Sequence, residues 1–255
     1  MNTMLVLTII AGVILLGAVL AENRVVDGQF AEKGQFPYQV ALVRQGKLHC
    51  GAVLVHEKFV LTAAHCFFQG DQPLPEKTLH VFFGSERLLV NGQFRQARTV
   101  HVHEKFDHTS NKYDLALVEL NKPVTFSETV RGVSVENVAF LENQQATFSG
   151  WGRSGEQQNT NYKLKYNTLT SLSAADCATA LGDAYYEGAL CFHNEQQHSG
   201  VCFGDYGGPV VHNGTLVGVA SYTVGGTCGG DKPDVFVDVS YFYEWVQEKF
   251  GGENN

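Results

Sequence analysis

Cys202 to Val211 reads CFGDYGGPVV, followed by His212, the triplet Asn213-Gly214-Thr215 and the apolar run LVGVAS, Leu216 to Ser221. Glycines at 204, 207 and 208 mark a turn, and Pro209 closes it. Asn-Gly between two apolar runs is a strong local signal for a β-hairpin, because both central residues of the favoured turn take positive φ. The stretch predicts a β protein with a glycine-shaped turn set just before a hairpin. The same triplet is an N-glycosylation sequon, so Asn213 is a candidate glycan site on that hairpin.

Outward from this stretch the texture repeats. Short apolar runs occur at 38–43, 52–55, 59–61, 79–83, 115–120, 145–148 and 235–239, with Gly, Asn, Asp and Pro between them. Many short strands at such spacing predict barrels or a sandwich. Twenty-seven glycines and 17% charged residues fit a turn-rich β protein better than a helical bundle. The 255 residues suffice for one large all-β domain or two small ones. No internal repeat is visible. The end differs: Val239, Phe242, Tyr243, Val246 and Phe250 fall at helical spacing, and Gly251-Gly252 follows, predicting a short amphipathic helix over about 239–250.

The net charge of −8 gives no basic footprint for nucleic acid. Met4 to Leu20 is almost wholly apolar, and Val19 and Ala21 give a small-residue cleavage pattern, so residues 1–21 read as a signal peptide. An uncleaved membrane anchor is the alternative, since the run approaches spanning length and no Lys or Arg precedes it. All six cysteines follow this segment, an even count that reads as disulfides in a secreted protein. Spacing alone does not choose their pairing. No C-x-x-C spacing is present, so zinc is discounted and no metal or other cofactor is expected.

Three segments carry the chemistry: LTAAHC (Leu61 to Cys66), YDLALVEL (Tyr113 to Leu120) and CFGDYGGPVV. With RVVDGQFAEKGQFPYQVAL from Arg24 and GWG at 150–152, they resemble the trypsin/chymotrypsin family, over nearly everything from Arg24 to the terminal helix. The resemblance implies two six-stranded antiparallel β-barrels, about 25–130 and 131–240, with the cleft between them. It assigns His65 as general base, a task suited to an imidazole's pKa, and Asp114 as the carboxylate holding its tautomer. The family motif is Gly-Asp-Ser-Gly-Gly-Pro. This chain reads Gly204-Asp205-Tyr206-Gly207-Gly208-Pro209, with Tyr206 at the nucleophile position. A phenol carries its oxygen at the far end of a rigid ring, whereas a serine hydroxyl sits one bond beyond Cβ. Geometry therefore counts against catalysis before pKa does. Ser199 precedes the turn and reads as a pocket-loop residue. The oxyanion donors are expected to be the backbone N–H groups of Gly204 and Tyr206.

The same resemblance implies cleavage after Arg24, leaving Glu22 to Arg24 as propeptide, with the new Val25 ammonium pairing to Asp205. Asp27 departs from the usual glycine there. It places Gly200 at the floor of the primary pocket and Tyr222, Thr223 and Asp234 on its walls, similar to the arthropod collagenase-like (brachyurin) branch. A solvated surface Asp234 is the alternative reading. It pairs Cys50–Cys66, Cys177–Cys191 and Cys202–Cys228. The functional expectation is a secreted, monomeric, inactive protease homologue that binds protein or peptide ligands, such as proteases, their substrates or inhibitors, and neither nucleic acid nor membrane. The rival is an active digestive-type endopeptidase, if Tyr206 is a variant or a sequencing error. Metal-dependent hydrolysis by the ten histidines has no ligand spacing behind it.

Overall fold

The structure, a computed structural model, describes residues 28–155, 159–193 and 200–251. The signal segment, Arg24, Val25, Asp27 and Ser199 lie outside the described residues.

The first barrel closes from six antiparallel strands: β1 Gln39–Arg44, β2 Lys47–His56, β3 Phe59–Thr62, β4 Leu79–Phe83, β5 Gln93–Val102 and β6 Ala116–Leu120, in the order β1-β2-β3-β6-β5-β4. The second uses β7 Gln145–Gly150, β8 Lys165–Ser171, β9 Ala189–His193, β10 Pro209–His212, β11 Thr215–Thr223 and β12 Asp234–Asp238. Its order is β7-β8-β9-β12-β11-β10. The two barrels thus share one strand order, a repeat that no sequence similarity announces. Closure constrains pairing and inward-facing volume, not residue identity.

Strand periodicity explains why several runs are almost wholly apolar, with Glu119 the one polar residue of β6. In β6 every residue is buried. Ala116, Val118 and Leu120 face the first barrel's interior with Val40, Leu54 and Phe83. Leu117 faces the other way, into a layer between the barrels shared with Val53, Leu61, Val219 and Val237. A strand covered on both faces cannot alternate with polar residues. The second barrel fills with Phe148, Leu169, Phe192, Val210 and Phe236.

The Asn213-Gly214 hairpin forms as its sequence predicts: φ is 48° and 83° at the two positions, and Asn213 is exposed. The closing helix, α2, runs Tyr243–Gly251 and starts later than its spacing implies. Asp238 Oδ1 accepts from the backbone N–H (2.9 Å) and Oγ (2.7 Å) of Ser240, which holds a turn before the helix. Val239 and Phe242 still bury their side chains in the inter-barrel layer. A further helix, α1 Ala174–Leu181, is absent from the sequence reading. Its signal is a capping pair: the Asp176 N–H donates to Ser173 Oγ at 3.0 Å, and that hydroxyl donates to Asp176 Oδ2 at 2.7 Å. Among the described residues no helix is long and apolar enough to cross a membrane.

Candidate functional site

Each barrel delivers its part of the site through a short connection. β3 ends at Thr62, and the 3₁₀ turn Ala64–Phe67 presents His65. The Cys50–Cys66 disulfide ties that turn to β2, and Cys177–Cys191 and Cys202–Cys228 also form, as the resemblance implied. Asp114 lies just before β6, after Tyr113 at φ 56°. Tyr206 sits on the turn leading into β10.

Asp114 is fully buried, and three donors hold its carboxylate. The His65 backbone N–H reaches Oδ1 at 2.8 Å, while His65 Nδ1 (2.7 Å) and Ser221 Oγ (2.5 Å) reach Oδ2. A carboxylate accepts only, so Nδ1 carries the proton and Nε2 is left as the basic nitrogen. Burial opposes charging of the His65 ring, but the charge and hydrogen bond of Asp114 outweigh it and raise its pKa above the ordinary value. Ser221, from β11 of the second barrel, was not assigned a role from sequence. Nothing local to LVGVAS marks it as a partner of a residue on the other barrel.

The Tyr206 turn is clamped between the barrels. The Gly51 N–H of β2 donates to the Tyr206 carbonyl at 2.8 Å, and the Gly207 N–H donates to the Ala220 carbonyl of β11 at 2.6 Å. Gly204 and Gly207 take φ of 95° and 86°, which favours glycine at both. The Tyr206 side chain meets His65 ring against ring: the centroids are 5.8 Å apart and the planes 72° from parallel. Burial raises the pKa of its phenol against the influence of the Thr223 hydroxyl, which lowers it.

Gly200, Thr223 and Asp234 come together. A Cβ on Gly200 would lie 2.1 Å from Asp234 Oδ2, so the absent side chain leaves the room this carboxylate occupies. Asp234 accepts from the Val201 N–H at 2.8 Å and from Thr223 Oγ1 at 2.7 Å. At 5% exposure it is not a solvated surface residue. Tyr222 points to the other side, packs in the inter-barrel layer and feels the charge of Asp114. It is not gathered with the other three.

Two buried acids lie at this end of the site. Burial pushes Asp234 from 3.8 to about 7 against the two hydrogen bonds it accepts. Burial likewise pushes Asp205 to about 7, opposed by N–H donors from Gly152 and Cys202 and by the charge of Lys165, and reinforced by Asp234. Those N–H groups lie 2.7 and 3.2 Å away. A Cβ on Gly152 would meet this carboxylate at 2.3 Å. An acid with a raised folded-state pKa favours the fold while protonated. Its contribution is intact below about pH 4 and is lost as pH climbs toward 7, by roughly 4 kcal/mol for a three-unit shift. Asp234→Asn is therefore expected to raise the thermal midpoint at pH 8 and leave it nearly unchanged at pH 4.5. Melting curves at the two pH values check this; an equal shift at both contradicts it.

A cavity of about 310 Å³ opens at the site itself, lined by His65 and Tyr206 and, beside them, by Leu48, His49, Arg153 and Phe203. Cys50, His65 and Cys66 place ligand-type atoms within 4.8 Å of one another, but both sulfurs are spent in a disulfide and offer no thiolate to a metal.

A family model described as Trypsin matches residues 25–246. The chain belongs to the trypsin family. Among its relatives, serine protease SP24D of Anopheles gambiae is 36% identical over 224 residues, covering 88% of this chain and 80% of that protein. Trypsin 5G1 of Aedes aegypti is 31% identical over 239 residues, covering 92% and 88%. Among solved structures, mouse neuropsin, a serine protease, superimposes with a TM-score of 0.80 at 27% identity, over 88% of this chain and 99% of that one. Within this trypsin-family frame Asp114 is hydrogen-bonded to both His65 and Ser221, with Tyr206 beside the His65 ring.

Proposed function

We propose that this chain is a secreted, proteolytically inert member of the trypsin family, similar to the brachyurin-like branch, that works by binding protein or peptide ligands such as proteases, their substrates or their inhibitors. The observation that carries this reading is that Tyr206 meets His65 as a ring. Nucleophilic attack needs a hydroxyl within about 2.6–3.2 Å of its base. Here the two side chains meet ring against ring, with centroids 5.8 Å apart and planes 72° from parallel. The raised pKa of the phenol also keeps it neutral near pH 7. Three disulfides support an oxidising, extracellular setting, in line with the leader-like first 21 residues. Cleavage after Arg24 would bring the Val25 ammonium to Asp205, whose burial calls for a cation.

The intact His65–Asp114 pair favours a second reading, an active digestive-type endopeptidase with Tyr206 as a variant or error. A fluorophosphonate separates the two. The sequence-verified, Arg24-cleaved chain is expected to take up no label under conditions that fully label trypsin. Stoichiometric labelling would defeat the binding-protein reading.

A further inference from the structure

We infer that the Tyr206 ring is the resident occupant of this protein's own primary pocket, closing it to the side chain of any ligand. The inference deepens the reading above and rests on it. The pocket is bounded at its far end by the Thr223 Oγ1–Asp234 Oδ1 hydrogen bond, 2.7 Å between paired neighbours on the adjacent strands β11 and β12. Gly200 leaves the floor to the Asp234 carboxylate. Burial, the Thr223 hydroxyl and the charge of Asp234 all act on the Tyr206 phenol. Its ring packs with the cluster that contains Phe192, Val201 and Ala220. Phe203 stands 6.0 Å from it, centroid to centroid, and His65 stands 5.8 Å away. The ring therefore spans from the catalytic histidine to the acid-lined end, an aromatic body with a polar tip directed at polar partners.

The backbone makes this occupancy persistent. The hydrogen bonds from Gly51 to Tyr206 and from Gly207 to Ala220 fix the turn against both barrels. The ring is tethered one residue from those anchors, so a free ligand competes with an intramolecular group at high effective concentration. Partners must then be read by the open cleft, where Leu48, His49, Arg153 and Phe203 line the 310 Å³ cavity together with His65 and Tyr206.

Benzamidine, a flat ring with a cationic tip, tests this on the full, Arg24-cleaved chain. Removing the ring leaves an apolar slot of aromatic shape ending at Thr223 and Asp234. Titration calorimetry is expected to show no saturable binding to the unmodified protein, and binding to Tyr206→Ala and Tyr206→Ser at least about tenfold tighter than any seen there. Tyr206→Phe, which keeps the ring and drops the hydroxyl, is expected to stay closed. Tyr206→Ala/Asp234→Asn is expected to lose the gained affinity. Binding to the unmodified chain as tight as to Tyr206→Ala overturns the inference, as does failure of a folded Tyr206→Ser to bind. Because Tyr206→Ser is the small change back to the family residue, it carries the test if Tyr206→Ala does not fold. An unmodified chain that binds benzamidine but resists fluorophosphonate loses the plug and keeps the inert reading. One that is labelled loses the inert reading itself.

Discussion

Tyr206→Ser, cleaved after Arg24, is expected to hydrolyse ester and peptide substrates at least ~10³-fold faster than the unmodified chain. The magnitude follows from what a missing nucleophile removes: loss of one triad member typically leaves only the contribution of the oxyanion hole and binding, and restoring it recovers several powers of ten. The general-base half of the site is in place. Asp114 holds the His65 ring through Nδ1 at 2.7 Å and is itself fixed by Ser221 at 2.5 Å. The substitution also removes the ring that stands between His65 and the pocket. A serine at 206 inherits a backbone already held by Gly51 and Ala220. The check is kcat/KM against chromogenic substrates carrying basic and large apolar side chains. A folded, cleaved revertant with no activity would mean that more than the nucleophile has been lost.

Gly207→Ala is expected to be the most damaging single-methyl change near the site, by roughly 3 kcal/mol or more, lowering the melting temperature by roughly 6–12 °C. Two effects add there. Gly207 holds φ at 86°, where an L side chain is strained, and its Cβ would lie 2.2 Å from Thr62 Oγ1 and 2.4 Å from the Gly51 carbonyl. Thr62 has little room to give, because its hydroxyl already donates to that carbonyl at 2.8 Å. Gly46 is the control: φ is 73°, but nothing lies within 4 Å of an added Cβ. Gly46→Ala carries the strain without the collision and is expected to cost about 1–2 kcal/mol. Equal losses from the two changes in a denaturation experiment would contradict the close approach of the barrels at this turn.

The parts of the molecule that local patterns specify were legible. The Asn213-Gly214 hairpin needs positive φ at both residues, and the composition of the loop says so. His65 and Asp114 stand in motifs that name their positions, although 49 residues separate them. What depends on distant packing was not legible. Ser221 acts on Asp114 across 107 residues and from the other barrel. The start of α2 is set by an Asp238–Ser240 turn rather than by apolar spacing. β5, with its mixed run QFRQARTVHV, shows little apolar alternation, because most of its residues remain partly exposed and the strand is held by its neighbours β4 and β6. The reach of a tyrosine could be reasoned from its covalent shape. The direction of its ring required Gly200, Val201, Thr223 and Asp234, which the chain brings together from separate segments.

The inertness of the chain turns on Tyr206 meeting His65 as a ring instead of a short hydroxyl. Intact-mass spectrometry after exposure of the Arg24-cleaved protein to a slowly deacylating p-nitrophenyl guanidinobenzoate ester tests it most directly. The unmodified chain should keep its mass and release no burst of nitrophenol, while Tyr206→Ser gains one acyl group per molecule. One equivalent of acyl group on the unmodified chain, mapped to Tyr206, would contradict the account.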